Sequence, residues 1–378
     1  MNWPAVAELN DFTISPLLDG SSKGSLRIAA DPPSRSLEHF RYGTRKSVLQ
    51  IRQLAAGEAP AAVIDEPIIY GGLLFRHFGH LLTESIHRLW PRYALKELHG
   101  ARVAFHLVNN TKIVPYMTEA LNFHGFSKFQ VVPITETILF RRLFVGPQAR
   151  TLAGPTIIPE YQSMLDRDLS RRLPAPGGNR KLYVSRLSHR HTGSYYGESF
   201  VQEALAGVGF EIVYPEQHSL TEFVTMLRAA SVAIFAEGSA VHALELCGSN
   251  VPATAVISRR PESTPRFSPL LSTICEKWLI ADHVVTTAGM GADLKKHSGV
   301  VDLPAVMRDL EAFADLARPL GTPEEMLQGV ERDLEAHISD AARDGVIDYE
   351  VRAAELRKLV RGSVMQTMRA RQNVRSAA

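Results

Sequence analysis

Between Lys181 and Val285 the short apolar runs KLYVSR, FEIVYPE, VAIFAEG, VPATAVI and WLIADHVV alternate with stretches of helical period, and nothing else in the chain limits its fold so strongly. Runs of this length and apolarity suit strands buried on both faces. Parallel strands need a crossover between them, and a helix is the usual one. The intervening segments supply the helices. ESFVQEALAGVG closes on glycine, Ser219 and Glu222 form a capping box ahead of LTEFVTMLRAA, SAVHALELCG follows VAIFAEG, and a further helix is expected near Ser268 to Glu276. This half therefore reads as a parallel sheet with helices on both faces, a fold that places ligands at the carboxyl ends of its strands.

A second α/β pattern precedes it. From Ala61 the expected order is a strand AVIDEPIIY, a turn at Gly71 and Gly72, a helix from His77 to about Leu95, a strand RVAFHLVN, a helix IVPYMTEALNFHG, and strands FQVVPI and TILFRRLFVG. Residues 1–60, rich in Ser, Gly, Pro and Arg, read as an irregular segment to which no function attaches. PQARTLAGPTIIPE and LPAPGGNR change composition between the two patterns and mark the hinge. The expected layout is thus an irregular segment 1–60, an α/β domain 61–155, a second α/β domain 175–300 and a helical extension 301–378. A chain of 378 residues accommodates about two domains of ordinary size.

Residues 301–350 hold thirteen acidic and four basic residues, while 350–378 hold seven basic and two acidic ones. The last stretch forms a basic amphipathic helix, a surface for oligomer contact or for peripheral contact with acidic membrane lipid. A formal net charge of +2, with 45% hydrophobic and 22% charged residues, argues against nucleic acid as a partner. Cys247 and Cys275 form no CxxC pair, so neither a disulfide framework nor a structural zinc site is indicated, and a reducing cytoplasm suits the chain. The N-terminus lacks the basic-then-apolar order of a secretory signal, and no window approaches about 18 uninterrupted apolar residues.

Chemistry concentrates first in RHFGHLLTESIHRLW. On a continuous helix His77, His80, Glu84 and His87 share one face, with Phe78, Leu81, Leu82, Ile86 and Leu89 on the other. His80 and Glu84 read as a base and its hydrogen-bonded partner, or the four polar residues as metal ligands, or the group as a buried structural cluster. In the second domain three strand ends carry polar groups: Ser185 and Arg186 after KLYV, Glu216 after FEIVYP, and Gly238 with Ser239 and Ala240 after VAIFAE. An arginine fork and backbone N–H groups at a glycine turn both suit a diphosphate, and Glu216 suits a sugar diol. His242, a turn further on, reads as a phosphate contact. The polar stretch SHRHTGSYYGES reads as a lid in which Arg190, His191 or Tyr195 touches substrate, with nothing in the sequence selecting among them, and Arg76 and His77 are further candidates for substrate contact.

RHFGHLLTESIHRLW, KLYVSR and GFEIVYPEQHSLTEFVTMLRAASVAIFAEGSAVHALEL, in that order, resemble the glycosyltransferase family 61 domain over roughly residues 65–260, bacterial capsular-polysaccharide members included. The resemblance implies a GT-B architecture of two Rossmann-like domains facing a cleft. It implies an inverting hexosyl- or pentosyltransferase that takes a nucleotide-sugar donor and a glycan or lipid-linked glycan acceptor, in the synthesis of capsule, exopolysaccharide or another surface glycan. It further implies no obligatory metal or other cofactor. The cysteine usage points to a cytoplasmic site of action, and the basic C-terminal helix to a place peripheral to the cytoplasmic face of the inner membrane. Glu84 aligns with the family's acidic position, four residues after the histidine matched by His80, and is expected to be the base. Ser185 and Arg186 fall on the donor strand, and Gly238, Ser239 and Ala240 on the glycine turn. The chain departs from the eukaryotic pattern at Glu237, where a histidine is common, and at His242 and Ala243. The rival readings are a metal-dependent hydrolase built on the histidine helix and a nucleotide-sugar-binding protein without turnover.

Overall fold

The computed structural model describes residues 3–17, 25–28, 37–40, 49–54, 58–110, 112–150, 158–175, 177–343 and 346–377. Part of the expected hinge, 151–157, lies outside them. The chain divides into two compact units. One comprises 1–175 with 219–225 and 242–250, the other 176–218, 226–241 and 251–378. The two are therefore not consecutive along the chain, because two short segments beyond residue 176 belong to the first.

The first unit is built on β1 (Ala7–Ile14), β2 (Ser25–Ile28), β3 (Gln50–Gln53), β4 (Ala62–Ile64), β5 (Ile68–Leu74), β6 (Arg102–Leu107), β7 (Val131–Pro133) and β8 (Ile138–Val145). They form one sheet in the order β3-β2-β1-β8-β5-β6-β7, with β4 also pairing β8. β8, β5, β6 and β7 run parallel, and β1 lies antiparallel to β8. Leu9, Phe12, Ile68, Tyr70, Phe140 and Leu143 form part of its buried core. The chain moves from β5 to β6 to β7 in one direction and then returns to place β8 on the other side of β5. The reversal between β5 and β8 opens a crevice at their carboxyl ends.

Gly71 and Gly72, expected as a turn, instead lie inside β5, which is buried along its whole length. The register with β6 slips between Tyr70 and Gly72. A side chain at Gly71 would collide with the Phe105 ring, and Gly72 holds φ +81° with His39 and Arg88 against it. This is a glycine bulge that lets two functional-looking side chains approach the strand.

The single helix expected from His77 to about Leu95 is three short pieces: α1 (Phe78–Thr83), a 3-10 turn Ser85–Arg88 and α2 (Pro91–Ala94). Thr83 donates its hydroxyl back to Gly79 O, Glu84 leaves helical geometry at φ −132°, and Ser85 Oγ takes the Phe75 N–H at 3.1 Å. Pro91 has no N–H with which to continue the preceding turn. The shared face of four polar residues is thereby lost, because residues beyond Glu84 are rotated away from it. α3 (Pro115–Phe123) follows β6, and α4 (Pro159–Arg172), unforeseen in the sequence, follows β8.

The second unit holds a wholly parallel sheet of β9 (Arg180–Val184), β10 (Glu211–Val213), β11 (Ala230–Ala236), β12 (Ala253–Ile257) and β13 (Trp278–Ala281), ordered β10-β9-β11-β12-β13. Its crossovers include α5 (Glu198–Ala206), α6 (Leu220–Arg228) and α7 (Ser263–Ile274). The capping box stands: Ser219 N–H donates to Glu222 and Glu222 N–H to Ser219 Oγ. SAVHALELCG is a 3-10 helix rather than an α-helix, and WLIADHVV splits between β13 and β14 (Val284–Ala288), which pairs with β15 (Ser298–Val301) in a separate ribbon. Here the switch of direction falls between β9 and β11.

Residues 301–378 form α8 (Leu303–Phe313), α9 (Pro323–Arg343) and α10 (Tyr349–Ala377). Leu310, Leu334, Ile338 and Val360 enter the same buried core as Tyr183 and Ile234 of the sheet. Asp333 of α9 accepts the Gly197 and Ser199 N–H groups, capping α5. Two arginines of the tail pair within the chain, Arg357 with Glu335 and Arg361 with Glu331. Among the described residues no helix is long and apolar enough to cross a membrane.

Candidate functional site

In the first unit the chain leaving β5 enters α1, so His77, His80 and Glu84 follow the carboxyl end of the strand at the switch point. Glu84 is buried at 1% side-chain exposure and both its oxygens are engaged. Oε1 meets His80 Nδ1 at 2.6 Å, and Oε2 meets His39 Nε2 at 3.0 Å. A carboxylate only accepts, so both rings donate. His80, 38% exposed, is then left with Nε2 as a basic lone pair. His77 is exposed and caps α1 by accepting the His80 N–H, and Arg76 is exposed at the same turn.

His87 is directed elsewhere. Its Nε2 donates to Glu245 Oε2 at 3.1 Å, Arg150 Nη1 stands 3.2 Å from the same oxygen, and His242 Nδ1 stands 3.8 Å from Oε1. Burial raises the Glu245 carboxyl, but the Arg150 guanidinium and the His242 and His87 hydrogen bonds outweigh it and hold the group well below the usual carboxylate range. His242, expected over a donor phosphate, thus belongs with Glu245 in the first unit, while Ser239 and Ala240 belong to the second.

Two further histidines of this unit are buried and neutral. Burial, helped by nearby His39, lowers His106 to about 3. Burial lowers His124 to about 4. The His124 ring donates from Nδ1 to Ala120 O at 2.8 Å and accepts the Tyr161 hydroxyl at Nε2, 2.7 Å. An unfolded histidine takes up its proton near pH 6.5, whereas these do so only far below, so the unfolded state binds more protons and stability falls as pH drops. From pH 6 to pH 5 the two together are expected to cost about 2 kcal/mol of unfolding free energy. Urea titrations at both pH values check this, and His124→Gln should flatten the dependence.

In the second unit the switch point between β9 and β11 gathers Arg186, Arg259 and Arg260. Gly238 has no side chain because Arg186 lies on it: a Cβ there would meet the guanidinium. Arg186 also donates to Gly193 O and Thr192 Oγ1. Arg259, at 6% exposure, donates Nε to Glu237 O at 3.3 Å and leaves Nη1 buried without a hydrogen-bond partner among the described residues. Burial, then Arg260 and Arg186, pull its pKa down to about 9, so it remains a cation at neutral pH. Glu237 takes two bonds from the Arg260 side chain, at 2.8 and 2.5 Å, and one each from the Arg259 N–H, the Arg260 N–H and the Ser263 hydroxyl. Burial pushes its carboxyl up, and Arg260 with Ser263 and Arg259 brings it below the usual value. The glutamate at this position is therefore the counter-ion that keeps two adjacent arginines in place.

The remaining expected residues have structural partners. Ser185 donates to Glu198 Oε1 and accepts the Leu187 N–H. Glu198, unforeseen and fully buried, also takes the Arg186 N–H, and burial raises its carboxyl above the ordinary range. Glu216 holds Ser188 and lies 3.4 Å from His189. Tyr195 is no lid residue: it is 2% exposed and bonded to the Tyr183 hydroxyl in the core. Arg190 pairs with Asp340 of α9. His191 is exposed on the 3-10 turn Leu187–Thr192.

The expectation of one helical metal face fails, since His87 faces Glu245 and not Glu84. Among the described residues no three His, Cys, Asp or Glu side chains converge as a ligand set.

A search of curated proteins gave no match. Residues 78–256, which run from α1 through β12 and carry both switch points' polar turns, match the family model described as Glycosyltransferase 61. The chain thus carries a glycosyltransferase family 61 domain.

Proposed function

We propose that the protein is an inverting glycosyltransferase of GT-B type that moves a hexosyl or pentosyl group from a nucleotide-sugar to a glycan or lipid-linked glycan acceptor in polysaccharide synthesis. One observation carries the mechanism: His80 of α1, 38% exposed, holds Nδ1 2.6 Å from the buried Glu84 carboxylate. Glu84 has no free oxygen with which to meet an acceptor, so the base is His80, and Glu84 orients it. The acceptor hydroxyl gives its proton to His80 Nε2 while its oxygen bonds to the anomeric carbon. The bond from that carbon to the donor phosphate breaks, and the electron pair leaves with the diphosphate. Positive charge for the leaving group comes from Arg186 and Arg259, with the backbone at Gly238, Ser239 and Ala240 close by.

Two free buried cysteines suit a cytoplasmic site of action. The metallohydrolase alternative loses its basis with the single histidine face. The test is a thermal-shift series with UDP, GDP, CMP, ADP and dTDP compounds, with and without EDTA, followed by transfer assays with the sugar form of the stabilising nucleotide. Stabilisation by one nucleotide and transfer unchanged by EDTA are expected. Indifference to all of them, with a melting point lowered by chelator, would sink the proposal.

Arg259→Met gives a signature of opposite signs. Removing an unpartnered buried donor relieves about 1 kcal/mol or more, so the protein without nucleotide should melt no lower than the native one. The same variant should lose about tenfold or more in nucleotide diphosphate affinity, as expected when a charge-assisted bond is lost. Calorimetry and melting curves together check both arms.

A further inference from the structure

His39 stands outside the region matched by the family model, in a segment whose composition suggested only irregular structure. Yet its backbone is bracketed on both sides. Glu38 O accepts from Arg88 Nη2, and the Arg88 Nη1 bonds Gly146 O at 2.6 Å. Phe40 N–H donates to Gln148 Oε1 at 2.7 Å, and Gln148 Nε2 returns to Phe40 O at 3.2 Å. Glu38 and Phe40, on either side of His39, are thus tied through Arg88 and Gln148 to the chain leaving β8. A side chain in place of the Gly72 hydrogen would approach the His39 ring, so the bulge in β5 also makes room for it.

We propose that His39 is a positioning residue of the transfer reaction, which by donating Nε2–H to Glu84 Oε2 aims Oε1 at His80 and fixes the base in its Nδ1–H tautomer. The inference rests on the reading of His80 as base. A carboxylate that loses the donor on one oxygen has more freedom to rotate, and either imidazole nitrogen of His80 can then carry the proton. With Oε2 occupied by a buried donor, Oε1 is available at a single place, 2.6 Å from His80 Nδ1. The lone pair is confined to Nε2 of a ring whose side chain is 38% exposed. The neighbouring aromatic groups, Phe75 against both rings and His77 against His80, limit ring rotation.

The test uses full-length protein labelled with ¹⁵N-histidine, with long-range proton–nitrogen spectra at pH 8 and the His80 signals assigned by their loss in His80→Gln. Native protein should show a protonated Nδ1 and a bare Nε2 at His80. His39→Gln, whose amide can still donate, should keep that pattern and a kcat within about threefold of native. His39→Phe should mix the two tautomers and lower kcat by about tenfold or more at unchanged acceptor KM. His39→Leu serves if the phenylalanine variant does not fold. A non-donating variant with native His80 tautomer and native kcat overturns the proposal, as does an equal loss in the Gln and Phe variants. Absence of transfer from UDP-, GDP-, CMP- and dTDP-sugars by native protein would instead count against the glycosyltransferase reading, and the spectra would still decide the role of His39.

Discussion

Replacing His80 with glutamine is expected to lower kcat for sugar transfer by about 10²- to 10⁴-fold while leaving nucleotide binding near native, because the donor diphosphate is assigned to the arginines of the second unit. The partly exposed ring is the member of the pair within reach of solvent, and its removal leaves the buried carboxylate with no route to an acceptor hydroxyl. Glu84→Gln should produce a loss of the same order by another cause. A glutamine amide can turn its NH₂ toward His80 and favour the wrong tautomer, so the proton sits on the nitrogen that has to receive one. The double variant should then be little worse than either single one, since residues acting as a unit are not additive. Initial rates of all three with the same donor check this. A Glu84→Gln enzyme with full activity would detach the carboxylate from the chemistry.

Glu245→Ala is expected to destabilise the first unit by about 3–5 kcal/mol, the usual consequence of leaving a buried ion without its partner. Arg150 and Glu245 are 1% and 3% exposed, so water cannot replace the lost carboxylate. The Glu245 carboxyl is held below its unfolded value, so its contribution is complete above about pH 4.5 and disappears as pH falls further. Glu245→Leu combined with Arg150→Met should recover most of the loss, because two apolar side chains remove the desolvation cost of both charges. A double-mutant cycle followed by urea unfolding tests the coupling, and simple additivity of the two single losses would contradict it. His87 should report the same event. Its ring loses its acceptor in Glu245→Ala, and its resonance should move without any change at His80.

The parallel sheet of the second unit was legible because each strand is a short apolar run set between helical segments with recognisable ends, such as the Ser219–Glu222 box. The first unit was legible only in its parallel part. Its β1, which joins β8 along most of its length, has the burial pattern of an edge-like strand in a segment dominated by loop-forming residues. α4 carries Tyr161, Met164, Leu165 and Leu169 at helical spacing, a sufficient signal that was masked by its proline-rich surroundings.

At the site, period alone misled. The spacing of His77, His80, Glu84 and His87 assumes an unbroken helix, and the hydroxyls of Thr83 and Ser85 together with Pro91 break it. Glu84 and its neighbour His80 were visible, whereas His39 lies 45 positions away and no local pattern links them. Glu245 was detectable as a lone acid inside the apolar run AVHALEL, three residues after His242. Tyr195 illustrates the converse. A polar, glycine-containing setting suggested a mobile loop, but the aromatic pair Tyr195 and Tyr196 buries it against the second core.

The way the chain visits its two units also restricts its history. Segment 219–225 supplies Thr221 to Glu119, and segment 242–250 supplies Glu245 to Arg150 and Ser249 to Asp166, all within the first unit. A fragment ending near residue 175 would lack those partners, and one beginning there would carry both segments as orphans. Gene fusion or recombination at the apparent boundary would thus deliver neither half intact, and chimaeras made in the laboratory face the same rule.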